Sequence, residues 1–550
     1  MNRSLPLTFS FLAFVTLTSI FAFYAPLISD EIHEAATVYD LLKIFPYKDE
    51  IYYKNVLGYF LKYPIIRLPF DWLTVLRISR VILGLCYSGM IFFVIRDHFK
   101  KGKNPLAISC AAIITLFMTQ NLLHAASYRV DLLTTIFGFF SFYCLKKGKF
   151  NMAGLLAAIS FLISQKGIWF CASGFLCLLI VTKDSKALIS YLRSGILSGL
   201  AYILFFGAFS SIETVLYGIF LKDAEMATSA GYSIRHFWSQ TFFENTVYWL
   251  VSFFGFSTLF VSPLTKEEKL LALYTALLTL FLFINPQSWP YNFIYLSPFY
   301  LYLQADFFST LLERKKLTIA IVIVCIGSIL SIFQLFKAHT FSNKAQVFNI
   351  RLLDEILGPK DTYLAGFNLF PKSQHQQAHE EFNWLHAIQR AHLRNLPVVD
   401  LTRLINELRE NPPKAILKNY RFQDLPPMLN QFFTENYSHY WGNIATYTVP
   451  LSKDSDKGKG NANPNNKDNE TLIFQTHFKG NYIFLGLNPD SAIQLEGSDK
   501  LYKVGDSLNL EVGIHKIKKS PYKGKLVFFP GRKKLPTSYR KEQGLNFTYD

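Results

Sequence analysis

Cysteine is scarce in this sequence, and all six cysteines lie within apolar runs that end before residue 336. The region after residue 336 has none, so a disulfide framework is excluded there. No repeat at a solenoid period occurs, which excludes a solenoid. The first apolar run, residues 5–28, contains no charge, and residues 21–26 offer no small-x-small cleavage site. We therefore expect this run to be a membrane span and not a signal peptide.

Apolar residues are abundant in the rest of the first 335 residues. The chain is 51% hydrophobic and 16% aromatic, and its apolar runs recur up to residue 335 and then stop. A helical run of about 20 residues crosses a hydrocarbon core of roughly 30 Å. We therefore predict a multispan membrane protein with about 11 transmembrane helices. The candidate spans are residues 5–27, 78–95, 105–122, 130–145, 151–164, 168–182, 194–212, 246–262, 270–284, 291–305 and 317–335.

Basic residues predict the orientation of these spans. They concentrate in alternate short loops, a bias that marks loops kept on the cytoplasmic side. The N-terminus is then cytoplasmic, while Asp30, Glu31 and everything after residue 336 lie outside what we expect to be a bacterial inner membrane. The formal net charge of +17 suits such loops and anionic membrane lipids, and nucleic acid is not an expected partner. The basic loops contain Arg96, Lys100, Lys101 and Lys103; Lys146, Lys147 and Lys149; Lys183, Lys186 and Arg193; Lys266 and Lys269; and Arg314, Lys315 and Lys316.

After residue 336 the pattern changes to that of a soluble domain. Amphipathic helical patterns alternate with strand-like runs, which indicates a small α/β layer over residues 336–451. Residues 452–470 are almost entirely polar and predict a flexible linker, and short runs between turn residues predict a β-rich tail over 471–550. The predicted fold class is thus an α-helical multispan membrane domain over residues 1–335, followed by an extracytoplasmic α/β domain with a β-rich tail. The predicted helices are residues 345–357, 379–393 and 402–409, and the predicted strands are residues 362–367, 415–418, 444–449, 472–474, 482–487, 508–514 and 525–529.

An acidic pair, Asp30 and Glu31, stands where the first span should emerge into water. Taken alone, the pair fits an ordinary solvated helix end, but a carboxylate at a membrane surface can also act as a base toward a lipid-linked substrate. The same loop holds Lys54 among tyrosines. The loop is about 50 residues long, too long for a simple connection, so we expect interfacial helices within it.

The other loops of the same predicted side add more charged residues. Arg129 and Asp131 flank the start of one span, and Lys166 lies in the next outer loop. Arg235 lies in a long loop of residues 213–245. Singly, a lysine can snorkel to headgroups, Arg129 and Asp131 can form a structural ion pair, and Arg235 can be solvated. Together these loops bring cations and carboxylates to one face of the membrane.

The acidic pair, the long first loop and its lysine together resemble the C-type glycosyltransferases. The resemblance is strongest to the enzymes that use dolichyl- or undecaprenyl-phosphate sugars, among them the protein O-mannosyltransferases and the aminoarabinose transferase of lipid A. Asp30-Glu31 matches the acidic motif of this family in position and sequence. Lys54, in YYKNVLGYF, is similar to the loop lysine that meets the donor phosphate in the family.

Further motifs extend the resemblance to about residue 450. Arg129-x-Asp131 resembles the second-loop Arg/Asp element of the family, and QKG at Lys166 resembles its threonine-lysine-glycine turn. INELRENPPKAIL, from Ile405, resembles the helix–proline–strand passage of the outer domains. The aminoarabinose transferases have a glutamate directly before the loop lysine as part of a metal site, and here that position is Tyr53.

No cofactor follows from these residues, and a divalent metal ion stays an alternative. Tyr53 stands where the family has its metal-binding glutamate, and this difference argues against the metal site of the family. His375, His379 and His386 have a helical spacing that can hold zinc. Because that spacing lacks a fixed carboxylate partner, it is a weak metal signal.

The resemblance implies a glycosyltransferase that moves a hexosyl or pentosyl group from a polyprenyl-phosphate donor to an acceptor hydroxyl or phosphate. The acceptor is lipid A, a glycan or a protein, and the reaction takes place on the extracytoplasmic face. A single base then acts in an inverting displacement, because polyprenyl phosphate leaves already charged and needs no strong acid. The implied catalytic residues are Asp30 as the base and Glu31 in support; Lys54, Arg235 and Lys166 bind the donor phosphate; and Arg129 and Asp131 support the first loop.

Other classes of function fit parts of the pattern. A transporter or flippase of lipid-linked sugars would place ionisable or helix-breaking residues within its spans, often in repeated halves. A polymerase or ligase of polyprenyl-linked glycans also works on the outer side of the membrane. The acidic pair directly after the first span favours the transferase, and a structural or receptor-like role is the remaining alternative.

Overall fold

The structure is a computed structural model, and it describes residues 5–49, 55–221, 234–261, 263–285, 289–337, 343–370, 385–395, 400–452, 472–486, 489, 491–519 and 523–530. The described residues fall into two compact units, one that ends at Asn343 and one that begins at Lys344. The first unit is helical, and the second combines helices with two β-sheets.

The first unit consists of helices joined by short turns. Long apolar stretches favour helices in a membrane, because each backbone group must then bond within its own segment. A 3-10 turn at Gln165–Gly167 and a second at Pro290–Tyr295 interrupt the helices on the side of the acidic pair. The α-helices are α1 (Leu5–Tyr24), α2 (Ser29–Asp40), α3 (Leu57–Ile66), α4 (Trp72–Lys100), α5 (Pro105–Leu116), α6 (Thr119–His124), α7 (Val130–Lys146), α8 (Phe150–Ile163), α9 (Ile168–Cys177), α10 (Ser185–Phe209), α11 (Ile212–Leu216), α12 (Ile234–Glu244), α13 (Thr246–Thr258), α14 (Lys266–Ile284), α15 (Ser297–Glu313) and α16 (Leu317–Lys337).

Five helices among the described residues are long and apolar enough to cross a membrane, judged by length and composition. Apolar side chains on two of them face outward, since Ile189 of α10 and Ile329 of α16 are 63% and 65% exposed. Such exposure fits a lipid-facing surface. The count of about 11 spans stays a prediction. The five candidates are Pro6–Tyr24, Trp72–Lys100, Gln165–Thr182, Ser185–Phe209 and Leu317–Leu335.

Charged residues of the loops gather at two separate ends of this unit. At one end, Lys146 of a predicted cytoplasmic loop lies 2.5 Å from the carboxylate of Asp97. At the other end, Glu31 of a predicted outer loop meets Arg80. Both Arg80 and Asp97 belong to α4, and the rise of seventeen positions from one to the other corresponds to roughly 25 Å of helix, close to the thickness of a hydrocarbon core. The two predicted sides therefore correspond to opposite ends of α4, while the assignment of one end as outer stays a prediction.

A glycine lets helices α13 and α15 approach closely. A Cβ atom on Gly255 would lie 2.2 Å from the carbonyl oxygen of Leu303, too close for any real contact. We expect Gly255→Ala to push the helices apart and to lower the free energy of unfolding by about 1–3 kcal/mol, measured through the melting temperature in detergent. Gly199→Ala on α10 is the matched control, because a Cβ there meets nothing within 4 Å. A Gly255→Ala protein as stable as this control would contradict the close packing.

The second unit has one hydrophobic core shared by its helices and both of its sheets. Leu404 and Leu429 from helices are buried in one cluster with Phe484, Ile517 and Leu526 from strands. The helices are α17 (Lys344–Ile356), α18 (Leu385–Leu393), α19 (Leu401–Glu410) and α20 (Pro427–Asn436). The strands are β1 (Tyr363–Leu364), β2 (Ala415–Leu417), β3 (Tyr437–Trp441), β4 (Ile444–Ser452), β5 (Leu472–Thr476), β6 (Gly480–Gly486), β7 (Ala492–Leu495), β8 (Leu501–Lys503), β9 (Ser507–Leu510), β10 (Gly513–Lys519) and β11 (Lys523–Phe528).

A seven-stranded sheet joins strands from both sides of the predicted linker. Its order is β1-β2-β4-β11-β6-β9, with β3 also paired to β4. Strands β1 and β2 run parallel, and β11 pairs antiparallel with β4 and with β6, so that Leu526 lies opposite Val449 and Phe484. Strands of residues 471–550 thus complete a sheet that begins within residues 336–451. A second sheet, β5-β10-β7-β8, is antiparallel.

Most predicted elements of this unit are confirmed within a few residues. The predicted helix over residues 379–393 is described from Leu385 onward, and residues 379–384 and all but Ser452 of the predicted linker lie outside the described residues. The predicted strand over residues 508–514 was wrong in one respect, because it is two strands that separate just before Gly513. Gly513 has φ +145°, a conformation that side chains rarely adopt, and it marks the break.

Candidate functional site

Three carboxylates at the start of α2 have different surroundings. The side chain of Asp30 is 34% exposed, whereas Glu31 and Glu34 are 0% and 1% exposed. Residues three apart on a helix share one face, so Glu31 and Glu34 point together into the protein. Negative charge is also favourable in the first turn of a helix. Of these three carboxylates, Asp30 is the one that a substrate can reach.

Arg129 links Asp30 to the second of the predicted outer loops. It is the residue before α7, its backbone is extended, and 4% of its side chain is exposed. Its Nη1 lies 2.5 Å from Asp30 Oδ2 and its Nε lies 3.1 Å from Asp131 Oδ2. Its guanidinium carbon is 3.5 Å from the ring centre of Tyr291. The planar donors of arginine suit this bridge between two carboxylates, and the aromatic ring stacks on the guanidinium.

Arg129 is a permanent cation in this setting. Burial opposes its charge, but Tyr291, Asp30 and Asp131 outweigh burial and raise the pKa of the guanidinium above its ordinary value. Next to it, burial and then the charge of Arg129 lower the pKa of His124 to about 3. His124 is therefore neutral at neutral pH and adds no positive charge to the site.

Lys166 continues the chain of charges from Asp131. It lies in the Gln165–Gly167 turn, its side chain is 21% exposed, and its Nζ is 3.2 Å from Asp131 Oδ1. The same ammonium donates to Asn292 Oδ1 at 2.9 Å. Tyr295 also donates a hydrogen bond to Asp131. Asp30, Arg129, Asp131 and Lys166 thus form a row of alternating charges that ends in two partly exposed groups, a carboxylate and an ammonium.

Glu31 faces away from this row and forms a buried ion pair with Arg80. Glu31 Oε1 lies 3.2 Å from Arg80 Nε and accepts the backbone N–H of Tyr128, and Oε2 accepts the N–H of Ile28 at 3.0 Å. Arg80 also donates to the backbone carbonyls of Ala25, Pro26 and Ala126. Both side chains are almost fully buried. Glu31 therefore holds the first and second outer loops together.

Two predicted phosphate-binding residues cannot be placed. Lys54 lies outside the described residues, and for Arg235 the backbone of α12 is described but the side chain is not. The described chain resumes at Asn55, whose side chain donates to the carbonyl of Phe161 near the end of α8. Gly58 packs against Val130 and Ile163. The segment that follows Lys54 is thus fixed beside the helix end that leads to Lys166.

Among the described residues, no group of three or more His, Cys, Asp or Glu side chains is arranged to hold a metal ion. His375 and His379 lie outside these residues, and the side chain of His386 is not described. Tyr53, at the position of the family's metal-binding glutamate, is also outside them.

Several residues of this site were missed by reasoning from the sequence. Arg80 lies within a predicted span, where a charge is itself a signal of function. Lys62, whose Nζ lies 2.6 Å from Glu34 Oε2, shows no such signal, because its loop contains several other lysines. Tyr291 and Asn292 lie where a predicted outer loop of residues 285–291 meets the predicted span 291–305, and the sequence does not show which charges they contact.

No family model matches this chain, and no curated protein matches it. Solved structures do match. ArnT from Cupriavidus metallidurans bound to undecaprenyl phosphate matches with a TM-score of 0.54 at 9% identity, over 80% of this chain and 97% of ArnT. ArnT in the apo state matches with a TM-score of 0.52 at 11% identity, over the same shares of the two chains. At these identities the likeness shows the fold alone, and the fold of this chain is similar to that of ArnT.

Proposed function

We propose that this protein transfers a sugar from a polyprenyl-phosphate-linked donor to an acceptor on the extracytoplasmic face of the membrane. The observation that carries the proposal is the partly exposed Asp30 carboxylate, held by Arg129 at the end of a row of charges from three predicted outer loops. The fold shared with ArnT supports the reaction class, and the undecaprenyl phosphate bound to ArnT suggests the lipid class of the donor. The acceptor is a hydroxyl or phosphate group of lipid A, a glycan or a protein.

Asp30 acts as the general base in this proposal. It takes the proton of the acceptor hydroxyl while the acceptor oxygen forms a bond to the anomeric carbon. The bond from that carbon to the phosphate oxygen breaks, and polyprenyl phosphate leaves with the electron pair. One displacement inverts the anomeric configuration. Arg129 favours the ionised form of Asp30, so the base is ready before the acceptor binds.

The donor phosphate lies near Lys166 in this proposal. The ammonium of Lys166 is partly exposed, and Lys54 and Arg235 are proposed to supply further positive charge. Cations stabilise both the bound phosphate and the charge that develops on the leaving group. Glu31 is assigned a positioning role through its ion pair with Arg80, and Asp131 holds Arg129 and Lys166 in place.

The proposed setting is a bacterial inner membrane. About 11 helices span it, with the N-terminus in the cytoplasm and the Asp30 side outside. The second unit, from Lys344 onward, is then extracytoplasmic.

The reaction is tested with purified protein and a radiolabelled polyprenyl-phosphate sugar in the presence of an inner-membrane acceptor fraction. The expected result is a labelled acceptor whose anomeric configuration is opposite to that of the donor, with one polyprenyl phosphate released per sugar transferred. Retained configuration would contradict a single displacement by Asp30. Cleavage of the sugar lipid without any labelled acceptor would contradict transfer itself.

Lys166→Gln is expected to raise the KM for the sugar lipid by about 10- to 100-fold, because a charge-assisted hydrogen bond to the phosphate is lost. The change in kcat should be smaller. Lys186→Gln is the matched control, since Lys186 is an exposed lysine of a predicted cytoplasmic loop. Initial rates over a range of donor concentrations give both constants. An unchanged KM would remove Lys166 from the phosphate site.

A further inference from the structure

The backbone on both sides of Arg129 is held by three buried side chains. Glu31 accepts the N–H of Tyr128, and Glu34 Oε2 accepts the N–H of Val130 at 3.0 Å. Lys62 donates to the carbonyl of Tyr128 at 3.4 Å. Val130 is the first residue of α7, and its N–H has no partner within the helix, so a carboxylate is well suited to it. We call Glu31, Glu34 and Lys62 the backbone clamp.

Glu34 and Lys62 also hold each other. Lys62 Nζ lies 2.6 Å from Glu34 Oε2, and each side chain is 1% exposed. The ammonium lies 4.2 Å from the ring centre of Tyr128. Burial lowers the pKa of Lys62, while the charge of Glu34 opposes that shift. Loss of either partner would therefore leave a buried charge unpaired.

Glu34 and Lys62 are not accessible to a substrate. Both contact the backbone beside Arg129, the residue that holds the proposed base. Arg129 lies between the two clamped peptide groups, and its side chain ends on Asp30 at 2.5 Å. We propose that Glu34 and Lys62 are positioning residues that fix Arg129, and through it the carboxylate of Asp30, for sugar transfer. This inference rests on the proposed function. A base misplaced by about 1 Å can cost 10²-fold in rate, so a shift of this segment should be visible in kcat.

The first test is a double-mutant cycle between residues 34 and 129. Glu34→Gln should lower kcat by roughly 10- to 100-fold with little change in the KM for donor. In an Arg129→Lys protein, whose ammonium cannot bridge both carboxylates, Glu34→Gln should lower kcat by less than about twofold further. Fully additive effects would overturn the inference, because they would mean that Glu34 acts independently of Arg129.

The second test needs no catalysis. Hydrogen exchange measured on intact wild-type protein and on Glu34→Gln should be faster in the variant over residues 127–132. The double variant Glu34→Gln/Lys62→Met leaves no buried charge unpaired and keeps an acceptor for Val130, so it should fold, while its kcat should stay as low as that of Glu34→Gln. No change in exchange over residues 127–132 would overturn the clamp.

A matched control separates positioning from general damage. Asp97→Asn also breaks a buried ion pair, with Lys146 at 2.5 Å, but at the other end of α4. It should lower the melting temperature without lowering kcat. A fall in kcat equal to that of Glu34→Gln would assign the effect to stability and overturn the inference. If the wild-type protein transfers no sugar, the proposed function fails, and the exchange experiment still decides whether the clamp exists.

Discussion

Asp30→Asn is expected to lower kcat for sugar transfer by about 10²- to 10⁴-fold, the usual contribution of a general base. Asparagine has nearly the same size and can still accept a hydrogen bond from Arg129, but it cannot take the proton of the acceptor. Arg129 would remain bound to Asp131 and stacked on Tyr291, so the surrounding structure should persist. Initial rates at saturating donor, with the melting temperature measured alongside, test this expectation.

The control for this change is Asp49→Asn. Asp49 is an exposed carboxylate of the same loop, and it accepts the N–H of Phe45 at 2.7 Å. Asparagine preserves that bond, so this variant should keep wild-type rates. An Asp30→Asn protein with both wild-type kcat and wild-type melting temperature would show that Asp30 is not the base.

Glu31→Ala is expected to lower the free energy of unfolding by about 3–5 kcal/mol, because it leaves the charge of Arg80 buried and unpaired. It also removes the acceptor for the N–H groups of Ile28 and Tyr128. Denaturant unfolding in mixed micelles measures the change. The double variant Glu31→Gln/Arg80→Met should be more stable than Glu31→Ala, since no charge is left buried alone.

An exposed ion pair serves as the control for the buried pair of Glu31 and Arg80. Glu267 and Lys101 lie 2.7 Å apart, but their side chains are 42% and 38% exposed. Glu267→Ala should therefore cost only about 0–1 kcal/mol. If Glu31→Ala cost no more than Glu267→Ala, the ion pair of Glu31 and Arg80 would not hold the two loops together.

The residues of the charged row come from loops that the sequence predicted for one side of the membrane. Asp30, Arg129 and Lys166 were predicted for the same side of the membrane from the alternation of basic loops, and the structure brings them together. That prediction needed no contacts, because the bias of basic residues acts loop by loop. Which of these residues bond to each other depends on helix packing, and the sequence alone does not reveal it.

Reasoning from the sequence did not identify the buried partners of these charged residues. Glu31 was predicted as a catalytic residue beside Asp30, since the two are adjacent in the chain. Adjacent helix residues point about 100° apart, so one faces the site and the other faces Arg80. Lys62 was one basic residue among several in its loop, and only its contacts with Glu34 and the carbonyl of Tyr128 identify its role.

In the second unit, too, the sequence predicted local elements but not their long-range contacts. Helices α17 to α19 and most strands were predicted from hydrophobic periodicity, whereas α20 was not. The pairing of β11 with β4 joins residues more than seventy positions apart, across the polar linker. No local pattern encodes such a pairing, so the sequence predicted a tail over residues 471–550, whereas β6, β9 and β11 of that region share the seven-stranded sheet with β4.

The alternative functions predict different positions for the charged residues. A flippase of lipid-linked sugars would need ionisable groups along a path through the spans. Arg80 is a charge within a span, but Glu31 and three carbonyls satisfy it at one end of α4. A polymerase or ligase would share the outer site, and it would differ in using oligosaccharide donors.

The most direct measurement uses proteoliposomes that contain the purified protein, a radiolabelled polyprenyl-phosphate monosaccharide and an acceptor lipid fraction. We expect label to move from the polyprenyl lipid to the acceptor with the wild-type protein, and we expect this transfer to be lost with Asp30→Asn. Movement of intact labelled lipid across the bilayer, with no label on any acceptor, would contradict this expectation.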